Sequence, residues 1–458
     1  MTQSALSVVN APTPTIATAD LQIGMFIHLD LGWMSHPFAL SSFRITDANQ
    51  IATIRSLGLA RVRWSPEHSD PALLDAPVEG PAAAESTPDA QPAQNACAEP
   101  VEDASTIGRA RARALRDRRI RALSAQHAAV ELVERQYGEA SNDWRAAADQ
   151  AASDPQAAGQ RMSALSRALV DKMIGARELS IRAVAQTGSD RASHALNVGV
   201  ISLLLGRLCG LSEPDLSDLG VGALSHDIGK LDLPPRLHRP DDTYSASELA
   251  AYREHVALGV ALGKRMGLAP GALLVIGQHH EYSDGTGFPQ GVDGNRMSVA
   301  SRVVALVNRY DNLCHPAPAV RAMTPHEALS FLFAQGQKRF DPAMLSSFVR
   351  MMGVYPPGSI VQLTDDRYAI VESVNAARPL KPKVMVHDPQ VPREATLLID
   401  LAHDAILGIR RSLPADQLPP PVRENLVPRH RTAWFFETSG EAATDADAGD
   451  EERVRIHH

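Results

Sequence analysis

Several common classes of protein are excluded by what this sequence has little of. Only three cysteines, Cys97, Cys209 and Cys314, are spread over 458 residues. That spacing rules out a disulfide framework or a cysteine-based zinc knuckle and suits a reducing compartment. Positive charge is not in excess: the net charge is −8, which argues against a chain built to coat nucleic acid or an anionic membrane. There is no uninterrupted apolar run of about 18 residues, so no membrane span is expected. The opening stretch MTQSALSVVNAPTPTIATAD has neither the basic start nor the apolar centre of a secretory signal. The expectation is a soluble, cytoplasmic protein. Aromatics are scarce at 5%, while Ala, Leu and Arg are plentiful, a balance that favours helix over sheet. Apolar content of 44% and charged content of 21% are ordinary for globular domains, and the length suggests two or three of them.

The composition changes along the chain. Residues 1–19 are small and polar and read as a disordered tail. Residues 20–65 alternate in short runs, Met25-Phe26-Ile27-His28-Leu29, Phe43-Arg44-Ile45-Thr46 and Ala60-Arg61-Val62-Arg63-Trp64, around a helix opening at Asp47. This predicts a small α+β module, a candidate sensory or regulatory domain. His28 and His36 within it read as packing residues. Residues 66–105 are rich in Pro, Ala, Asp and Glu, with no Lys or Arg between Pro71 and Thr106, the signature of a disordered acidic linker. A helical connector is expected over 106–160. It opens with Arg109, Arg111, Arg113, Arg116, Arg118, Arg119 and Arg121, read as a solvated basic face, and carries an apolar stripe of Leu115, Leu123, Val130, Leu132 and Val133. A homodimer through this connector is an expectation.

From 161 to 354 the periodicity is helical, with segments over 160–186, 193–210, 213–228, 246–266, 270–280, 298–314, 325–334 and 341–352 and no strand signal between them. Residues 355–410 turn to period two and predict a small β-rich subdomain. Residues 411–458 read as an extended, disordered tail. The expected fold class is therefore mainly α: an all-helical domain with a small α+β module before it and a β subdomain after it.

The chemistry concentrates in the helical part. His226-Asp227 closes an apolar helical run and is followed by Gly229-Lys230. His194 precedes it, four residues after Asp190 and hence on the same helix face. His255 follows, with Gly259, and then His279-His280-Glu281 ahead of Asp284-Gly285-Thr286-Gly287-Phe288-Pro289. An adjacent His-Asp pair on a buried helix costs several kcal/mol unless its polar atoms are used. Neutral imidazoles with a carboxylate suit Fe, Mn, Zn or Ni.

In their order and separations these residues resemble an HD-GYP domain, over about Arg177 to Met352. The module around Gly32-Trp33-Met34-Ser35-His36-Pro37-Phe38 resembles a domain of unknown function found ahead of such domains. The resemblance implies an all-helical metal phosphohydrolase that cleaves cyclic di-GMP to pGpG or GMP. It implies two divalent cations, Fe or Mn first, held by His194, His226, Asp227, His255, His279 and His280, with Asp190 as a ligand for a third. It assigns Asp227 as bridging carboxylate and Lys230 to charge developing on phosphorus. Asp284, Gly285, Thr286, Gly287, Phe288, Asp311 and Arg321 fall to substrate binding. The partners implied are cyclic di-GMP and signalling proteins such as diguanylate cyclases.

Departures from the family pattern are specific. Phe288 replaces the signature tyrosine and Ser283 a frequent tryptophan. Asn308 stands where an aspartate completes the metal set and is expected to be a weak ligand. Ala317 and Val320 occupy the places of two substrate-contacting cations, with Arg321 next door. These changes keep a second expectation open, a cyclic dinucleotide sensor or protein-interaction module without turnover.

Overall fold

A computed structural model describes residues 14–30, 42–70, 104–176, 178–185, 190–238, 243–316, 322–375, 377–404, 406–427 and 431–438. The chain divides into two compact units. The segment around Gly32–Phe38, with His36, lies outside the described residues, as do most of the expected linker and the final twenty residues.

In the first unit, β1 (Thr15–Ala17), β2 (Phe26–His28), β3 (Ser42–Arg44) and β4 (Arg61–Trp64) form an antiparallel sheet in the order β1-β4-β2-β3. Helix α1 (Ala48–Ser56) lies between β3 and β4 in sequence. It starts where it does because the Asp47 carboxylate accepts from the backbone N–H groups of Asn49 and Gln50. Ile27, Ile45 and Ile54 are fully buried and form its centre. The expected tail and linker both give up residues to this module. Thr15–Ala17 pairs with β4. At the other end Asp70 N–H donates to Gly24 O at 3.0 Å, and the Ser69 hydroxyl accepts from Phe26 N–H and from the Trp64 indole. The His28 ring meets Phe26 edge-on and reaches Ser65 Oγ at 2.8 Å.

Helix α2 spans Ala104–Gln150. Arg113, Arg116, Arg118, Arg119 and Arg121 are exposed along it. Farther on its character changes: Val133, Tyr137, Ala140, Trp144, Ala147 and Ala151 are buried in the core of the second unit. Their spacing of three or four residues is one helix face. The later part of the expected connector is thus a core element.

In the second unit, α3 (Pro155–Gly175) starts on an Asp154 cap with Pro155 in its first turn. Strand β5 (Leu179–Ala185) follows, then α4 (Asp190–Leu208), α5 (Glu213–Ser225), α6 (Ala246–Arg253), α7 (His255–Arg265), α8 (Pro270–Gln278), α9 (Val299–Cys314), α10 (Pro325–Gln335) and α11 (Pro342–Met352). Leu196, Ile201, Leu205, Leu219, Val275, Ile276, Val303 and Val307 are fully buried among them. Each such side chain stabilises the fold by roughly 1.5–3 kcal/mol.

After the helices come β6 (Ile360–Leu363), β7 (Tyr368–Asn375), β8 (Lys383–Val386), β9 (Leu398–Asp400), β10 (Ile409–Ser412), α12 (Pro420–Leu426) and β11 (Thr432–Thr438). The sheet runs β10-β6-β7-β5-β11, with β8 also on β7 and β9 on β8.

Two expectations are corrected here. The helical reading of 160–186 fails at its end, where Leu179–Ala185 pairs antiparallel with β11 over seven residues. A short apolar run is ambiguous between helix and buried strand, and its partner lies about 250 residues away. The pairing buries Arg182 against Glu437 at 3.2 Å. The extended-tail reading of 411–458 fails through 438, because Trp434, Phe435 and Phe436 are buried beneath the helices. Among the described residues, no helix is long and apolar enough to cross a membrane.

Candidate metal centre

Three helix ends, one helix face and a short helix build the site. His226 caps the C-terminus of α5, with Asp227 next to it, and His279 caps α8 in the same way. His255 opens α7, and His194 lies within α4. The short helix Ile228–Asp232 carries Lys230. It fits against α7 only because residue 229 is glycine. A Cβ there would stand 2.1 Å from His255 O and 2.3 Å from Gly259 N. The Gly229 and Gly259 backbones therefore touch, and that contact sets His255 beside Asp227.

Asp227 is the centre. Its Oδ2 lies 3.4 Å from His194 Nε2 and 3.5 Å from His226 Nε2. Its Oδ1 lies 3.5 Å from His255 Nε2 and 3.6 Å from His279 Nε2. One carboxylate thus faces two pairs of imidazoles, one pair per oxygen. His280 joins the second group, so the donors form two sets, His194-His226-Asp227 and Asp227-His255-His279-His280.

The proton pattern of His226, His255 and His279 fits cations beside Asp227. Nδ1 of His226, His255 and His279 donates to the backbone carbonyl three residues earlier, at 2.7, 2.5 and 2.7 Å. In the neutral ring this leaves Nε2 as a bare lone pair. Burial holds His226 down to about 4 and His255 down to about 3, so both rings are neutral at ordinary pH. Yet Nε2 of His255 and His279 face each other at 3.2 Å. Asp227 Oδ1 and His280 Nε2 are buried without a hydrogen-bond partner. Lone pairs gathered in this way repel unless a cation lies among them, and N and carboxylate donors are what a transition metal takes.

His194 is held differently. Its Nδ1 meets Asp311 Oδ2 at 2.6 Å. Burial disfavours its charge, but hydrogen bonds to Asp227 and Asp311 outweigh that and push it up to about 9. Asp227 is kept well below the usual carboxylate range: burial opposes its charge, and Lys230 and His226 prevail. Lys230 Nζ is 2.5 Å from Asp227 Oδ2 and 5.2 Å from the centre of the Tyr252 ring.

Other expected residues fall elsewhere. Asp311 was expected to bind substrate. It is buried, and its oxygens are occupied by His194, Asn197 Nδ2 at 2.8 Å and His315 Nδ1 at 3.0 Å. Its carboxylate thus holds His194 Nδ1 while lining the cavity beside Asp227. Asn308 is buried on α9, where its Oδ1 accepts from Asn312 Nδ2 at 2.7 Å. Asp284 is exposed, and its carboxylate folds its own loop by accepting from the N–H and hydroxyl of Thr286. Gly285 adopts φ 74°. The space left by Gly287 is taken by the chain itself, since a Cβ would stand 2.5 Å from His280 O. Phe288 stacks on His280 with ring centres 4.4 Å apart. The side chain of Asp190, and all of 317–321 with Ala317, Val320 and Arg321, lie outside the described residues.

Two contributors, Tyr252 and Asn197, had no sequence signal, and Glu281 was read only as part of its motif. Tyr252 packs its ring 4.8 Å from His255. Asn197 bridges Asp311 to the Trp434 N–H. Glu281, buried, accepts from the N–H groups of Gln290 and Gly291 and ties down the loop after the histidines.

Comparison with known proteins places these residues among relatives. Residues 148–344 match the family described as HD domain, and residues 14–161 match a domain of unknown function, DUF3391. The chain is 29% identical over 197 residues to the cyclic di-GMP phosphodiesterase PA4108 of Pseudomonas aeruginosa, covering 42% of this chain and 47% of that protein. It is 29% identical over 164 residues to the cyclic di-GMP phosphodiesterase response regulator RpfG of Xanthomonas campestris pv. campestris, covering 35% and 42%. It is 27% identical over 165 residues to the 3'3'-cGAMP-specific phosphodiesterase 3 of Vibrio cholerae, covering 36% of each. The chain thus spans less than half the length of these curated relatives.

Proposed function

We propose that this chain, whose residues 148–344 match the HD domain family and residues 14–161 the DUF3391 domain, is a metal-dependent phosphodiesterase acting on cyclic di-GMP. The products proposed are pGpG or GMP. The observation that carries the reading is the position of Asp227 between two imidazole pairs, one on each carboxylate oxygen. His194 and His226 would hold one divalent cation, His255, His279 and His280 a second, and Asp227 both; Fe or Mn suits these donors. Two such ions supply a hydroxide nucleophile near neutral pH and neutralise phosphate oxygens.

The chain's own groups do the remaining work. The carbonyls of Ala223, Tyr252 and Ile276 fix three imidazoles in the tautomer that presents Nε2. Asp311 does the same for His194. Lys230 brings a positive charge to the edge of the cluster, where it offsets charge that builds on the phosphoryl oxygens. The apolar faces of Tyr252 and Phe288, packed on His255 and His280, limit water around the second donor set.

Asn308 favours a second reading. A neutral amide, engaged by Asn312, stands where the family pattern has a carboxylate, and a site weakened there would bind a cyclic dinucleotide without cleaving it. The deciding test is chromatography of cyclic di-GMP incubated with the Mn-loaded chain and with Asp227→Ala. Turnover abolished in the variant supports the enzyme. Binding without turnover in the unaltered chain supports the sensor.

A further inference from the structure

One wall of the cavity over the metal centre comes from beyond the helical domain. The cavity is lined by Arg191, His194, Asp227, Lys230, Asp311 and Arg431, among others. Arg431 lies one residue before β11, well past the end of the HD domain match at 344. Its place is fixed by the strand behind it. Thr432 is in register with Ala185. Two residues later the Trp434 N–H donates to Asn197 Oδ1 at 2.9 Å, and Asn197 in turn donates to Asp311. The Trp434 indole donates to Pro357 O at 3.0 Å and lies 5.2 Å from the His315 ring. Arg431 is therefore carried into the cavity by a buried, hydrogen-bonded strand, the kind of support that holds a binding group in place.

The charges of the cavity give that position a meaning. Among the described residues its carboxylates are Asp227 and Asp311. Asp227 is engaged by Lys230 and the imidazoles, and Asp311 by His194, Asn197 and His315. Arg191 and Arg431 add two cations to the same space. A cyclic dinucleotide carries two phosphodiesters, and only one can occupy the metal centre at a time. The other enters the cavity as an anion and needs a cation, for which a guanidinium is suited by its bidentate geometry. The sequence has Ala317 and Val320 where the family pattern has cations.

Resting on the phosphodiesterase reading above, we infer that Arg431, with Arg191 lining the same cavity, binds the second phosphodiester of the cyclic dinucleotide. The C-terminal strand is then part of the substrate site, and Arg431 sets the preference for a two-phosphate ligand.

The test compares Arg431→Ala and Arg431→Lys with the unaltered full-length, Mn-loaded chain on two substrates. One is cyclic di-GMP; the other is bis(p-nitrophenyl) phosphate, which has a single phosphodiester. Losing one charge-assisted contact raises KM for cyclic di-GMP about tenfold to a hundredfold in Arg431→Ala. Turnover of the single diester and metal content stay unchanged, and Arg431→Lys falls between. Unchanged KM in Arg431→Ala, or an equal fall on both substrates, overturns the assignment while leaving the phosphodiesterase reading intact. An unaltered chain that cleaves neither diester overturns that reading instead. Equilibrium binding of cyclic di-GMP then decides Arg431 separately, and equal affinity of the two proteins, or no binding by either, overturns it.

Discussion

His194 Nδ1 and Asp311 Oδ2 are 2.6 Å apart, and through that contact a buried acid on α9 sets which nitrogen of an α4 histidine faces Asp227. With Nδ1 donating, Nε2 is the atom a cation would take, displacing the proton that Asp227 and Asp311 favour on the ring. Asp311→Asn offers an amide that can present N–H to the ring and favour the opposite tautomer. Metal affinity of the His194-His226-Asp227 set should fall about tenfold to a hundredfold. Titration with Mn, followed by calorimetry, would show this as weakening of one binding step with the other retained. Two unaltered steps would count against the orienting role.

In the proposed reaction Lys230 acts later than binding. Its ammonium lies against Asp227, yet lysine is not a metal donor while protonated. Lys230→Met should reduce kcat about a hundredfold to a thousandfold and leave the metal content intact. A change confined to KM would show that it serves binding alone.

Asn308 tests whether the site is weakened. In Asn308→Asp the amide of Asn312 can still donate to the residue at 308, as it does now, so the substitution adds charge without stranding a donor. Tighter metal retention against a chelator, with faster cyclic di-GMP turnover, is expected. No gain in either would show that the neutral residue is tolerated.

Lys172 predicts a pH effect remote from the metal. It is buried on α3, and burial lowers it from 10.5 to about 8 against the pull of Glu139 and Asp171. Below pH 8 it is charged both folded and unfolded, and the cost of burying that charge is fully present. Between about 8 and 10.5 the unfolded chain holds the extra proton, so stability rises with pH. The difference is on the order of 3 kcal/mol. Thermal unfolding across this range should show a rise that Lys172→Met lacks, the variant being the more stable at pH 7. Parallel pH curves for the two proteins would refute this.

How far the sequence can be read depends on the range of the forces involved. His226-Asp227, His255 and His279-His280 are local motifs at helix ends, and their order along the chain is enough to suggest a shared site. The N-cap at Asp47 and the break at Asp154-Pro155 are local too. Strand β5 is not: Leu179–Ala185 becomes a strand because Thr432–Thr438 pairs with it, and neither segment shows that alone. Trp434-Phe435-Phe436 was obscured by the polar residues around it. The partners of Asp311 were illegible for a related reason. An acid in a motif reads as a ligand contact until its three partners, two from α4 and one from just past the end of its own helix, are seen to surround it. Tyr252 and Asn197 carry no pattern at all, since only packing brings them to the histidines.

The account as a whole depends on cations joining two imidazole sets through one carboxylate. The most direct measurement is metal content per chain after Mn loading and removal of free ion, for the unaltered protein and for Asp227→Ala. Two tightly held ions, with both lost or weakened together in the variant, is the predicted result. Fewer than one ion in the unaltered chain, or the same content in Asp227→Ala, would contradict it.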